Sequence, residues 1–324
     1  MRSVQLKPHP LAFGVYPFGM VGGPRGVVSG PPDDIGQIGE ALGALAGDGP
    51  PLLVRMYVSF DGTVDAALGQ VAQFAQIGSL VDLSLNFHDR DGDVERWCAF
   101  VEQVVRRHGS QVSSIGVTNE ANLLDVPFAP DGAYPSALEA LVDGVIVAAE
   151  TKRRMDATAA IGFTTASDTT PAAESFWRRV ARRNGEAFST AVDFAGLTMY
   201  PGGFEPVAPS IAALAQQTTE MSTAYRAQLS TAGIPDTVPI RVCECGWPTG
   251  PGRSEQDQAE ALRTIVETVA GLAGDLHVTH WELFTLRDAN SSGDDLFGHF
   301  GVLRDDYTRK PAYDVLRRLI DPGV

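Results

Sequence analysis

The chain has 324 residues, 44% of them hydrophobic, and 25 Lys and Arg against 40 Asp and Glu give a formal charge of −15. The apolar share excludes global disorder, and no run approaches the ~20 apolar residues of a membrane span. The acidic balance argues against nucleic acid or an anionic membrane as the main partner, since either needs a basic face. The N-terminal string MRSVQLKPHPLAFGVYPFG is broken by Pro8, Pro10 and Gly14 and carries no small-residue cleavage pattern, so it predicts no signal peptide. Cys98, Cys243 and Cys245 make no complete disulfide framework. Free thiols fit a reducing cytoplasm, the expected location. Cys243 and Cys245, two apart in a predicted strand, are expected on one face, unpaired.

Short runs rich in Val, Ile, Leu and Phe alternate with longer amphipathic stretches. In chain order the runs are 12–19 (AFGVYPFG), 52–60 (LLVRMYVSF), 81–87 (VDLSLNF), 112–120 (VSSIGVTNE), 159–165 (AAIGFTT), 192–200 (VDFAGLTMY), 238–244 (VPIRVCE) and 278–286 (VTHWELFTL). Each has the length of a buried strand. The stretch Val94–His108 places Val94, Trp97, Cys98, Val101, Val104 and Val105 on one helical face. Ser254 reads as a helix N-cap with Asp257 in the third place, Pro171 opens a helix through Phe176 and Trp177, and residues 310–320 close the chain. Strand then helix, repeated eight times without hairpins, predicts a parallel α/β fold. That count in ~300 residues is the arithmetic of a single (β/α)8 barrel. It uses nearly the whole of 1–324, so one domain with long βα loops is expected. The rival, an open doubly wound sheet, wants a glycine-rich phosphate loop after its first strand. Pro17 and bulky rings occupy that place, so residues 18–32 read as a loop at the barrel mouth.

In a barrel the active site gathers at the C-terminal ends of the strands. Arg55 lies in the second strand, and the third ends Asn86-Phe87-His88-Asp89. The fourth ends Thr118-Asn119-Glu120, the sixth Thr198-Met199-Tyr200 and the seventh Cys243-Glu244-Cys245-Gly246-Trp247. The eighth carries Trp281 and Glu282. Charges buried in one mouth are costly unless paired or used. Two opposed glutamates suit glycosidic hydrolysis, which needs one protonated carboxyl to donate to the leaving oxygen and one ionised carboxylate to attack or to activate water. Strands four and seven lie across the barrel from each other, which lets Glu120 and Glu244 face one another.

Asn119-Glu120 with Glu244, and the string Cys243-Glu244-Cys245-Gly246-Trp247-Pro248-Thr249, resemble clan A, the large (β/α)8 clan of retaining glycoside hydrolases. The nucleophile segment is similar to the Glu-x-Gly-Trp-Pro of its β-1,3-glucanase-type families. The resemblance implies Glu244 as nucleophile and Glu120 as acid/base, with no metal and no organic cofactor. Arg55, Tyr200 and Trp281 match further clan positions. Many members carry His-x-Tyr at strand six, where this chain has Thr198, so the family within the clan stays open.

Arg55 and Tyr200 are expected to hold Glu244, Asn119 to meet a sugar 2-hydroxyl, and His88 to bind a hydroxyl or fix Asn119. Trp281 and Trp247 are candidate flat faces for a sugar ring. Trp97 and Trp177, on helices, read as packing, and His280 and Glu282 as structural. The long loops 18–32, 121–135, 201–209 and 287–304 set specificity. Tyr16, Phe18, Phe128, Tyr134, Phe204, Phe297 and Phe300 are candidate walls of a closed pocket around one or two sugars or an aglycone. The expected partner is a carbohydrate or glycoside. Two alternatives remain: a sugar-binding barrel without catalysis, and a metal-dependent barrel lyase or isomerase using His88, Asp89, Glu120 and Glu244.

Overall fold

The computed structural model describes residues 11–77, 80–124, 126–168, 170–183, 185–204 and 210–321. In chain order come β1 (Ala12–Tyr16), a hairpin of β2 (Val21–Gly23) and β3 (Gly26–Val28), α1 (Ile35–Ala46), β4 (Leu53–Phe60), α2 (Val64–Ala75), β5 (Leu80–Phe87) and α3 (Val94–His108). Then follow β6 (Ser114–Val117), the 3-10 turn Asp131–Ala133, α4 (Ala137–Met155), β7 (Ala160–Ala166), α5 (Pro171–Arg182), α6 (Gly185–Ala191) and β8 (Phe194–Thr198). The chain ends with α7 (Ile211–Thr231), β9 (Ile240–Cys245), α8 (Glu255–Leu272), β10 (Val278–Phe284), the 3-10 turn Leu296–His299 and α9 (Pro311–Ile320).

Eight parallel strands close in the order β1-β10-β9-β8-β7-β6-β5-β4, and β4 pairs back to β1. This is a single (β/α)8 barrel, with all eight strands where the apolar runs lie. The hairpin β2–β3 interrupts the expected alternation, inside the first mouth loop. Part of the loop 201–209 and the first ten residues of the chain lie outside the described residues.

The helices pack their apolar stripes on the outer faces of the strands. Trp97 of α3 is fully buried against Phe60, Phe87 and Phe100, and its indole N–H donates to the Ala140 carbonyl at 2.9 Å. Trp177 packs similarly on Phe163 and Tyr225. At α8, Ser254 and Asp257 form a reciprocal capping box, so the shorter Asp suffices where Glu or Gln is usual. Among the described residues no helix is long and apolar enough to cross a membrane.

Candidate active site

The barrel interior follows from strand parity. Arg55 and Tyr57 alternate on the inner face of β4, and Arg55 is the register partner of Asp82 on β5. The Arg55 guanidinium meets Asp82 Oδ2 at 2.5 Å, both side chains being about 2% exposed. The other Asp82 oxygen accepts from the Ser114 hydroxyl. Arg55 also stands 3.9 Å from Glu244 and 4.0 Å from Glu282. The expected Arg55–Glu244 pairing is therefore mainly indirect. Arg55 Nε donates to the Tyr57 hydroxyl at 2.7 Å, and Tyr57 donates to Glu244 Oε1 at 2.6 Å. Tyr200 donates to Glu244 Oε2 at 2.8 Å. Both oxygens of Glu244 thus accept from phenols, an arrangement that fixes the carboxylate plane.

Glu282 is fully buried and neither carboxyl oxygen has a hydrogen-bond partner. Burial and the charge of Asp82 hold its carboxyl well above the usual range, which favours its protonated form. Asp82 is the closest acidic partner of Arg55 in the barrel floor. Removing one member of a buried pair strands the other, at a cost of about 3–5 kcal/mol. Asp82→Asn is expected to lower unfolding stability by about that amount, while Glu282→Gln, an isostere of the protonated form, costs about 1 kcal/mol or less. Urea unfolding midpoints of the two variants check the contrast; equal losses would show that the pair is not the charged one.

A β-bulge aims Glu244. Along β9, Leu197 and Thr198 pair with Val242 and Glu244, so one extra residue enters the strand. Cys243 stays inside, near Glu282, Arg55 and Asp82, and Glu244 rises into the mouth. Cys245 turns to the core beside Trp281. The expectation that Cys243 and Cys245 share a face is corrected by this bulge; both thiols and Cys98 are free. Gly246 follows because a Cβ there would lie 1.9 Å from the Phe284 carbonyl oxygen, where the end of β9 presses on β10.

Glu120 leaves β6 through a bent segment. Thr118 and Glu120 have φ of 69° and 53°, a left-handed conformation that costs a non-glycine residue about 1–2 kcal/mol. Hydrogen bonds hold it: Glu120 N–H donates to the Thr164 carbonyl at 2.9 Å, and Asn119 N–H donates to Asp131 Oδ2 at 2.8 Å. The Thr198 hydroxyl donates to Glu120 Oε1 at 2.5 Å. Thr198 is also the register partner of Glu244, so one strand-end residue connects the two glutamates. Burial first, and the charge of Glu244 second, push the Glu120 carboxyl from 4.5 up to about 8. The Asn119 side-chain oxygen is buried and unpartnered.

His88 holds the loop after β6: its Nε2 lies 3.2 Å from the Ala129 carbonyl oxygen and 3.4 Å from Asp131 Oδ1, and its ring stacks on Tyr134. It therefore holds the loop that carries Asp131, whose Oδ2 accepts from the Asn119 N–H. Asp89 is a turn residue, accepting from the N–H groups of Asp91 and Asp93. His88 and Asp89 are thus committed elsewhere, away from the ligand set of the metal-dependent alternative. The one cluster of ligand-type atoms found among the described residues is Asp82, Cys243 and Glu282, and the Arg55 guanidinium already occupies Asp82 there.

Of the two tryptophans, Trp281 needs correction. Trp281 pairs with Phe13 on the outer face of β10, opposite Glu282, and is fully buried in the hydrophobic core. It has no face for a sugar. Trp247 is 6% exposed, with the Arg253 guanidinium over its ring. The aromatic at the mouth is Phe284, half-buried on the parity of Glu282. It stacks on Tyr16 with centroids 5.4 Å apart and meets Tyr200 and Phe300 edge-on. Phe300, Phe297 and Phe204 continue that wall. Tyr57, Asp82, Asp131 and Phe284 are the site residues that sequence reasoning missed. Counting in twos from Arg55 and Glu282 was a signal for Tyr57 and Phe284.

A closed (β/α)8 barrel with two carboxylates in unlike settings at its strand ends defines the class of site. The sequence matches no family model and no curated protein. In structure the chain is similar to the β-glycosidase BGL167, with a TM-score of 0.66, 18% identity and 98% of each chain covered. It is also similar to the Thermotoga maritima β-glucosidase in complex with noeuromycin, with a TM-score of 0.61 and 12% identity over 89% of this chain and 87% of that one. A Rhizomucor miehei β-1,3-glucanosyltransferase active-site mutant aligns with a TM-score of 0.57 and 14% identity over 94% and 97%. These likenesses establish the shared fold.

Proposed function

We propose that the protein is a retaining glycoside hydrolase acting on a β-linked glycoside. The observation that carries the reading is the contrast between Glu244, accepting from Tyr57 and Tyr200, and Glu120, whose carboxyl is pushed up to about 8 by burial and by Glu244. One carboxylate is set to attack and one acid to donate, the division that double displacement needs. Structural neighbours named as a β-glycosidase and a β-glucosidase support it.

In the first step a Glu244 oxygen bonds to the anomeric carbon as the bond to the leaving oxygen breaks, and Glu120 gives that oxygen its proton. In the second, Glu120 takes a proton from water, whose oxygen displaces Glu244 and frees the sugar. Tyr57, Tyr200 and, through Tyr57, Arg55 hold the nucleophile. The unpartnered Asn119 oxygen receives the sugar 2-hydroxyl, and Phe284 offers the flat face. His88 and Asp131 position Asn119.

A panel of aryl β-glucoside, β-galactoside, β-xyloside and β-mannoside, with aryl α-L-arabinofuranoside, tests the reading. Turnover of at least one β-glycoside is expected, with the β-anomer appearing first by proton NMR. First release of the α-anomer would overturn retention, and an inert protein would overturn the hydrolase.

A further inference from the structure

We propose that the β2–β3 hairpin closes one arc of the barrel mouth, making a blind pocket that takes one terminal β-glycosyl unit and excludes internal units of a polysaccharide. The substrate class rests on the hydrolase reading above; the bridge itself rests on geometry alone.

In the closed barrel β1 lies between β10 and β4, and β6 stands beyond β4 and β5. The loops after β1 and after β6 are therefore not neighbours. Between them the connections are short: residues 61–63 join β4 to α2, and 88–93 join β5 to α3. The hairpin nevertheless touches both sides of this arc. A Cβ built on Gly22 would stand 3.1 Å from the Ala129 Cβ, in the loop that leaves Glu120. A Cβ on Gly23 would stand 3.1 Å from the Phe297 ring, in the loop after β10. Arg25 pairs with Asp295 at 2.7 Å on that second side. The base is tied by the Tyr16 hydroxyl donating to the Met20 carbonyl at 2.7 Å, and Val21 is 1% exposed. His88 holds the far abutment at the Ala129 carbonyl.

The two adjacent glycines permit this approach, since any side chain there would crowd Ala129 or Phe297. A polysaccharide cleft needs two open ends. With β2–β3 across the β4–β5 arc, one end is shut. The unit seated between Glu120 and Glu244 must then be the end of its chain, and the leaving group occupies the open side.

The double variant Gly22→Cys/Ala129→Cys tests the bridge without any reaction. Under mild oxidation a 22–129 cross-link is expected by peptide mapping: the 3.1 Å Cβ separation falls short of the ~3.5–4.5 Å of a disulfide, so the hairpin has only to give by a few tenths of an ångström for the bond to form. The cross-linked protein is expected to keep kcat/KM on an aryl β-glycoside within about threefold, because a fixed wall need not open. Failure to cross-link, or loss of turnover restored by reduction, would overturn the proposal. The wild type is expected to release only monosaccharide from β-linked oligosaccharides and to leave a soluble β-linked polysaccharide viscous. Replacing 21–28 with two glycines is expected to make viscosity fall at least about tenfold faster. A ladder of oligosaccharides from the wild type would overturn the pocket. A cross-linked protein inert on every terminal glycoside would overturn the hydrolase reading and the substrate class, with the bridge itself established.

Discussion

Glu244→Ala is expected to lower turnover of an aryl β-glycoside by more than about 10⁴-fold, the scale of loss when the group that forms the covalent bond is removed. The groups that hold Glu244 do not replace it. Tyr57 and Tyr200 are phenols that donate to Glu244, and the Arg55 guanidinium is held by Asp82. The variant leaves a small space beneath the anomeric carbon, faced by the same two donors. Azide, a small anion, fits such a space and attacks from the side that Glu244 used. Rescue is therefore expected to give the α-glycosyl azide, inverted relative to substrate, with Glu120 still protonating the leaving oxygen. Turnover with and without azide, and the product's anomeric configuration by NMR, decide the assignment. Full activity without azide would sink it.

The fold was legible because each strand is a continuous apolar run with a helix-period stretch behind it; Val94–His108 is an α-helix to the residue. Glu120, Glu244, Asn119, His88, Arg55 and Tyr200 come together in the structure because barrel topology brings strand ends to one mouth. What stayed hidden depends on register. Asp82 looks like an interruption in an apolar strand until β4 and β5 are paired and it lies opposite Arg55. The bulge at Cys243 and Glu244 adds a residue that no alternation pattern contains. Trp281 matches a position of the resembled clan, but parity with Glu282 places Phe284 on the inner face and Trp281 outside. Asp131 supports Asn119 from twelve residues away, through a loop whose path is set by His88. The hairpin β2–β3 has arms of three residues each, too short to show as periodicity.

Glu120→Ala is expected to divide substrates by their leaving groups. A sugar or alkyl oxygen leaves as a strong base and needs the proton, so kcat/KM on such glycosides should fall about 10²–10⁴-fold. A dinitrophenolate leaves without help, so the first step on its glycoside should be nearly unchanged. The pH profile carries the same argument. Burial and the Glu244 charge raise the Glu120 carboxyl from 4.5 to about 8, so it is protonated at neutral pH and loses its proton as pH rises through about 8. A general acid works only while protonated, so wild-type kcat/KM on a poor-leaving-group substrate should decline above about pH 8. Thr198 adjusts that limb. Its hydroxyl donates to Glu120 Oε1 and favours the carboxylate, so Thr198→Val should move the decline to higher pH. Thr198 would then set how far above neutrality the acid keeps its proton. In the proposed mechanism, esterification of Glu244 removes its charge and with it one cause of the raised value, which would make Glu120 a better base for the water of the second step. An alkaline limb that persists unchanged in Glu120→Ala would assign it to another group and remove Glu120 from the acid role.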